Sequence, residues 1–230
     1  MRSQGTDFLP RGWPRFASRV SPWRTMDVLS MLGTAVGLGT LSGLNLYLTT
    51  LLTGSAIHFN LLHVAEKYES LAVLGNPWVM GVAAALYLVE FSADKIPWLD
   101  SIWDGVHTVI RPAGACVLAF KTMGDVSPSL EVIGALAAGG FSLTTHTAKA
   151  ATRLVANTSP EPVSNILLSL GEDAAVTGGI VLMFLFPTLA LITCTVLVVG
   201  LWIVLPKLFR KLGGFMSVIK AKLSRTPKAA

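Results

Sequence analysis

The chain is short of charge. Only 13% of its 230 residues are Asp, Glu, Lys or Arg, about half the share usual in a water-soluble domain. Hydrophobic residues make up 52%, and the mean hydropathy is +0.62. Long uncharged stretches in such a composition point to lipid rather than water as the solvent. Cysteine is almost lacking, with Cys116 and Cys194 far apart in apolar segments. That excludes a disulfide framework and leaves both as small buried hydrophobes. Catalytic signatures are lacking too. There is no His-Glu-x-x-His, no Gly-x-Ser-x-Gly and no phosphate loop ending in Gly-Lys-Ser/Thr. Gly37-x-Gly39 wants the third glycine and the preceding strand of a dinucleotide site. No catalytic residue, metal site or cofactor is therefore expected, and an enzyme is the less favoured reading.

The charge that is present is unevenly placed. Arg2, Arg11, Arg15, Arg19 and Arg24 stand against Asp7 near the start. Lys207, Arg210, Lys211, Lys220, Lys222, Arg225 and Lys228 stand against no acid at the end. Basic ends beside apolar segments mark the cytoplasmic side of a membrane and suit anionic lipid. Nucleic-acid binding is not expected, since only Trp13 and Trp23 accompany these bases. The stretch before residue 26 is too long and too proline-rich for a simple signal sequence. The expected organisation is a basic cytoplasmic tail over 1–26, a transmembrane helical domain over 27–208 and a second basic cytoplasmic tail over 209–230.

About six apolar elements follow. Residues 28–57 are uncharged and would span roughly 45 Å as one helix, against a membrane core of about 30 Å. They must tilt or break. Gly37, Gly39, Gly43 and Asn45 allow a break, and Gly33-x-x-x-Gly37 with Gly39-x-x-x-Gly43 offers close helix packing. A polar loop is expected over 58–76. Further elements run from about Trp78 to Ala93, Asp100 to Thr122 with a kink at Pro112, Leu130 to Val155, Ser164 to Phe186 and Thr188 to Leu205, Pro187 dividing the last two. Six crossings put both basic ends on one face, with Lys95, Lys149 and Arg153 on or near it and Lys67 and Lys121 opposite. The expected class is an all-α, multi-pass bundle of the inner membrane with both termini cytoplasmic, some elements broken or re-entrant. A homo-oligomer is allowed. A weak repeat sets Ile96-Pro97-Trp98-Leu99-Asp100 beside Glu161-Pro162-Val163-Ser164-Asn165, each opening an element.

Ionisable residues recur at helical spacing. Asp100, Asp104, His107 and Arg111 follow at steps of four, three and four, which stacks them on one face. Ile102, Trp103, Val106, Val109 and Ile110 lie between. His146, Lys149 and Arg153 form a second row, and Asn165, Ser169 and Glu172 a third with Asp173 beside it. Glu90 and Asp94 close another element, followed by Lys95. A charge facing hydrocarbon costs about 2.5–3.5 kcal/mol even on the lenient insertion scale. The rows must face one another, the interface or water. Two readings stand: ion pairs that fasten helices, or a polar cavity that binds or conducts a small ion or polar solute. Asn45, Glu90, Asp94, Lys95, Asp100, Asp104, His107, Arg111, His146, Lys149, Arg153, Asn165, Ser169, Glu172 and Asp173 would line it. The histidines would relay protons or serve as hydrogen-bond partners.

These residues also resemble a known family. Glu90-Phe91-Ser92-Ala93-Asp94-Lys95-Ile96-Pro97, the run from Asp100 to Arg111-Pro112, His146-Thr147-Ala148-Lys149-Ala150 with Arg153, and Asn157 through Pro162 with Asn165, Ser169, Glu172 and Asp173 resemble the bacterial membrane family filed as domain of unknown function 4126. Ser42-Gly43-Leu44-Asn45 fits as well. The resemblance spans roughly residues 27–210 and leaves the basic tails outside. It implies a multi-pass membrane protein and no established activity. An assembly factor holding a partner protein, or an intramembrane enzyme acting on lipid head groups, are the alternatives to a transporter or channel.

Overall fold

The computed structural model describes residues 28–61, 64, 68–124, 126–157 and 162–223, with side chains described except at 97, 162 and 211–223. The expectations for the N-terminal arginines, His63, Glu66, Lys67, Glu161, Arg225 and Lys228 fall outside these residues. Among the described residues, seven α-helices follow in order: α1 (Val28–Leu44), α2 (Leu46–His58), α3 (Pro77–Ala93), α4 (Pro97–Thr122), α5 (Pro128–Ala156), α6 (Pro162–Leu185) and α7 (Pro187–Leu223). A 3₁₀ segment, Glu69–Gly75, precedes α3.

Proline opens five of these helices. Its fixed φ suits the first helical turn, and its missing N–H would have had no partner there. The prolines thus set the starts that hydropathy alone leaves blurred. They move the expected elements outward by one to three residues, to 77, 97, 128, 162 and 187. The last element is corrected most. Helix α7 continues through Pro206 to Leu223 rather than ending near Leu205, so it crosses the boundary expected at residue 208.

The first apolar stretch does break. Asn45 leaves helical geometry with φ −152° and ψ 101°, and its side chain accepts a hydrogen bond from the Leu48 N–H to cap α2. One expected element is therefore two helices, which accounts for seven where about six were expected. The supposed polar loop over 58–76 is also corrected. Its second half is the 3₁₀ segment, which buries Leu71 and Leu74 and bends by 64° into α3.

Helix α1 is the central post. Every residue from Gly33 to Gly43 is buried, as expected for a helix apolar all round. It packs against α4, α5, α6 and α7. Its glycines make that approach possible. A Cβ at Gly33 would meet the Pro187 carbonyl, one at Gly37 would lie 2.8 Å from Met183 Sδ, and one at Gly39 would lie 2.7 Å from Ala138 Cα. Small residues admit close backbones where lipid supplies no hydrophobic drive.

The outer surface is apolar. Ile102, Val106 and Val109 of α4 are exposed opposite its polar row, and Val196, Trp202 and Ile203 are exposed on α7. Such a surface is untenable in water and suits a membrane protein. Two helical spans, Val163–Leu185 and Pro187–Arg210, are long and apolar enough to cross a membrane, or three if the bent pair around Asn76 counts as one. The six crossings expected from the charge rule are not reached on this measure. Helices α4 and α5 fall short of that hydropathy.

Gly39 and Gly140 provide a matched test. Gly39→Ala drives a methyl into the Ala138 backbone and should lower stability by about 1–3 kcal/mol. Gly140 faces open space, and Gly140→Ala should leave the melting temperature in detergent unchanged or raised.

Candidate functional site

The polar rows converge. Glu90, Asp94, Asp100, Asp104, His107, Arg111, His146, Lys149, Arg153, Asn165, Ser169 and Asn45 are all buried, and Glu172 and Asp173 are half-buried. The cluster starts where α3 meets α4 and α5 meets α6, then runs inward along α4. Asp100 and Arg111 are eleven positions apart, roughly 16 Å along the helix. It ends at the break between α1 and α2.

Three cations organise it. Arg111 Nη2 donates to Glu90 Oε1 at 2.9 Å, while Nη1 donates to the Gly43 carbonyl at 3.0 Å and to His146 Nδ1 at 2.8 Å. Lys149 Nζ reaches the Leu44 carbonyl at 3.1 Å, Glu90 and Glu172 at 3.2 Å, and Asp94 at 3.5 Å. Arg153 grips both oxygens of Glu172, from Nε at 3.3 Å and from Nη2 at 2.6 Å. It also holds Asp94 at 2.8 Å and Asp100 at 3.4 Å. The two-pronged hold on Glu172 needs the planar guanidinium fork, which lysine lacks.

The helix break is where the cations do most. A helix end leaves its last carbonyls without partners, and inside a membrane such groups are tolerated only against protein or water. Arg111 and Lys149 cover Gly43 and Leu44, and Thr145 Oγ1 donates to the Thr40 carbonyl at 2.9 Å. Positive charge there also answers the negative pole of α1. On the other side of the break, Asn45 Nδ2 donates to Asp173 at 3.3 Å, and Tyr87 donates to the same carboxylate at 2.7 Å.

The tautomers of both histidines follow from their partners. Arg111 can only donate, so His146 Nδ1 accepts and its Nε2 carries the proton, facing the Asp104 carbonyl at 3.1 Å. The Trp103 carbonyl can only accept, so His107 Nδ1 donates to it at 2.8 Å, and Nε2 takes the Tyr47 hydroxyl at 2.9 Å. Trp103 stacks on His107 with ring centres 4.5 Å apart. His146, accepting at Nδ1, is held as a neutral hydrogen-bond partner in this arrangement.

Lys95 is the expected site residue that stands apart. Its Nζ donates to the Phe91 carbonyl at 2.6 Å and lies 2.9 Å from the centre of the Phe91 ring. Several neutral members had no sequence signal. Tyr47 and Tyr87 are two of them. Asn157 donates to Asp100 at 3.0 Å and accepts from Asn165 at 2.7 Å. It thereby joins the third positions after Pro97 and Pro162, the equivalent places of the weak repeat. Among the described residues, no three His, Cys, Asp or Glu side chains are arranged to hold a metal ion. Cys116 and Cys194 are unpaired and only partly buried.

Fold and site together define a helical membrane-type protein with a buried, multiply paired charge cluster at a broken helix. The sequence model of the family described as domain of unknown function 4126 matches residues 32–207, and the chain belongs to that family. No curated protein and no solved structure matches the chain.

Removing one member should expose the cluster's energetics. Arg111→Met leaves Glu90 and the Gly43 carbonyl with a lost donor and should cost about 3–5 kcal/mol in a detergent melt. Adding Glu90→Leu removes the uncompensated carboxylate and should recover part of that loss. A double variant no better than the single one would show that Arg111 acts chiefly through the α1 carbonyls.

Proposed function

We propose that this protein is a transporter or channel of the cell inner membrane that handles a small ion or polar solute at the charge cluster. The observation that carries the reading is where the charges gather. Three cations and five carboxylates form one buried cluster that ends at the discontinuity of a buried helix. Buried ion pairs are poor stabilisers compared with apolar packing, and ionisable groups kept within a membrane mark pathways and relays. Broken helices with their poles turned on a site are a recurrent device of transporters. Glu172 is the most exposed member of the paired set, with 14% of its side chain accessible against 0% for Glu90, which makes it the first of them that an entering ion would meet. The basic ends favour termini in the cytoplasm beside anionic lipid.

An assembly factor that grips another membrane protein is the second reading. It is favoured by the completeness of the pairing, since Arg111, Lys149 and Arg153 each satisfy several partners within the chain. Reconstitution in liposomes separates the two. The native protein should speed the passage of at least one of proton, sodium, potassium, chloride or inorganic phosphate, followed by entrapped dyes. Glu172→Gln should slow that flux about tenfold without unfolding the protein. A folded native protein that carries none of the five would overturn the transport reading and favour assembly.

A further inference from the structure

The charges do not balance, and one of the paired acids has the weakest partners. Five carboxylates stand in ion pairs with three cations, so two acids are in formal excess. Glu90, Asp94 and Glu172 take the close contacts, each within 3.2 Å of at least one cation. Asp100 lies in the first turn of α4, where the helix pole favours a negative charge, and Asn157 donates to it. Asp104 has neither aid. It sits a turn further in, its one ion pair within 4 Å among the described residues is with Arg111 at 3.7 Å, Lys149 acts on it from further off, and Arg111 Nη2 is already engaged by Glu90 at 2.9 Å. Asp104 Oδ1 is buried and accepts no hydrogen bond from the described residues. A carboxylate accepts through both oxygens, and a buried one left short of donors pays several kcal/mol in an apolar setting unless it takes a proton.

We propose that Asp104 carries an exchangeable proton, and that this proton is the ligand of the cluster. The charged groups acting on Asp104 are Asp100 and Arg111 of its own helix, Lys149 of α5 and Asp94 of α3, with His146 of α5 at its main-chain carbonyl. The cations already serve nearer acids. His146 presents its Nε2 proton to the Asp104 main-chain carbonyl rather than to the carboxyl. The remaining acids disfavour a further negative charge beside them. Proton binding converts Asp104 from an underpaired anion to a neutral group and lowers the excess of the cluster by one. Release returns that proton to water and leaves a carboxylate able to draw Arg111 away from Glu90 or to admit a cation. The side chain of Asp104 keeps 8% exposure where that of Glu90 has none, so it is the less enclosed of the two. The use of this proton in transport rests on the reading above; its presence on Asp104 does not.

Infrared difference spectroscopy of the purified full chain at neutral pH tests the proposal directly. Native protein minus Asp104→Asn should show the carbonyl stretch of a protonated carboxyl, lost in the variant. The amide of asparagine matches a neutral carboxyl in shape, so Asp104→Asn should melt within about 2 °C of the native protein. Glu90→Gln, which breaks two close ion pairs, should melt well below both. Absence of a protonated-carboxyl band that Asp104→Asn removes would overturn the proposal. So would an Asp104→Asn protein that unfolds as readily as Glu90→Gln. A band in a protein that carries no ion across liposomes would sustain the proton on Asp104 and remove only the transport reading.

Discussion

The architecture depends on two cations covering the carbonyls of a broken helix. Helix α1 is buried on every side and stops in the middle of the bundle, where its last carbonyls have no helical partner. Arg111 and Lys149 reach them from α4 and α5. Buried cations require anions, and these come from α3, α4 and α6. The break, the two cations and the ring of acids therefore form one interdependent unit. Covering a helix end with neutral donors would have needed no carboxylates. Covering it with arginine and lysine commits five helices to meet at one level.

That unit explains which features were legible beforehand. The ionisable rows on α4, α5 and α6 could be read because hydrocarbon penalises any charge that faces it, so spacing of three and four residues fixes a common inward face. The inference needed no knowledge of partners. It failed for Lys95, whose position at the end of α3 lets the flexible ammonium fold back on Phe91. A residue at a helix terminus is free of the mid-membrane penalty, and so free of the logic that placed the others. Tyr47 and Tyr87 were illegible for a different reason. Neutral hydrogen-bonding side chains cost little at an interface or in a loop, so their spacing carries no constraint.

The helix boundaries show the same division. Hydropathy located the apolar stretches, and proline fixed where five of them begin. The break at Asn45 was signalled by length and glycine content, but its position was set by a capping side chain that also bonds Asp173 on α6. The glycines near the break serve packing: a Cβ at Gly37 or Gly39 would collide with α6 or α5. Composition likewise understates the membrane character of α4 and α5. Their charges face inward and are neutralised by partners, while Val106, Val109 and Leu136 stay exposed on the outside. A test by composition sees the charges and not the direction in which they point.

The same cluster is thus both a structural clasp and a poor place for an inert one. A clasp would be best built with equal charge, every oxygen partnered and no access to water. Here Glu90 Oε2, Asp94 Oδ1 and Asp104 Oδ1 are buried without a hydrogen bond among the described residues, and anions outnumber cations. Arg111 ties this surplus to the helix break, because its Nη1 holds the Gly43 carbonyl while its Nη2 lies between Glu90 and Asp104. Any shift in the charge on Asp104 changes the pull on the guanidinium that covers the end of α1. Charge occupancy and the geometry of the broken helix are coupled through one side chain, and a coupling of that kind is what alternating access to a buried site would need.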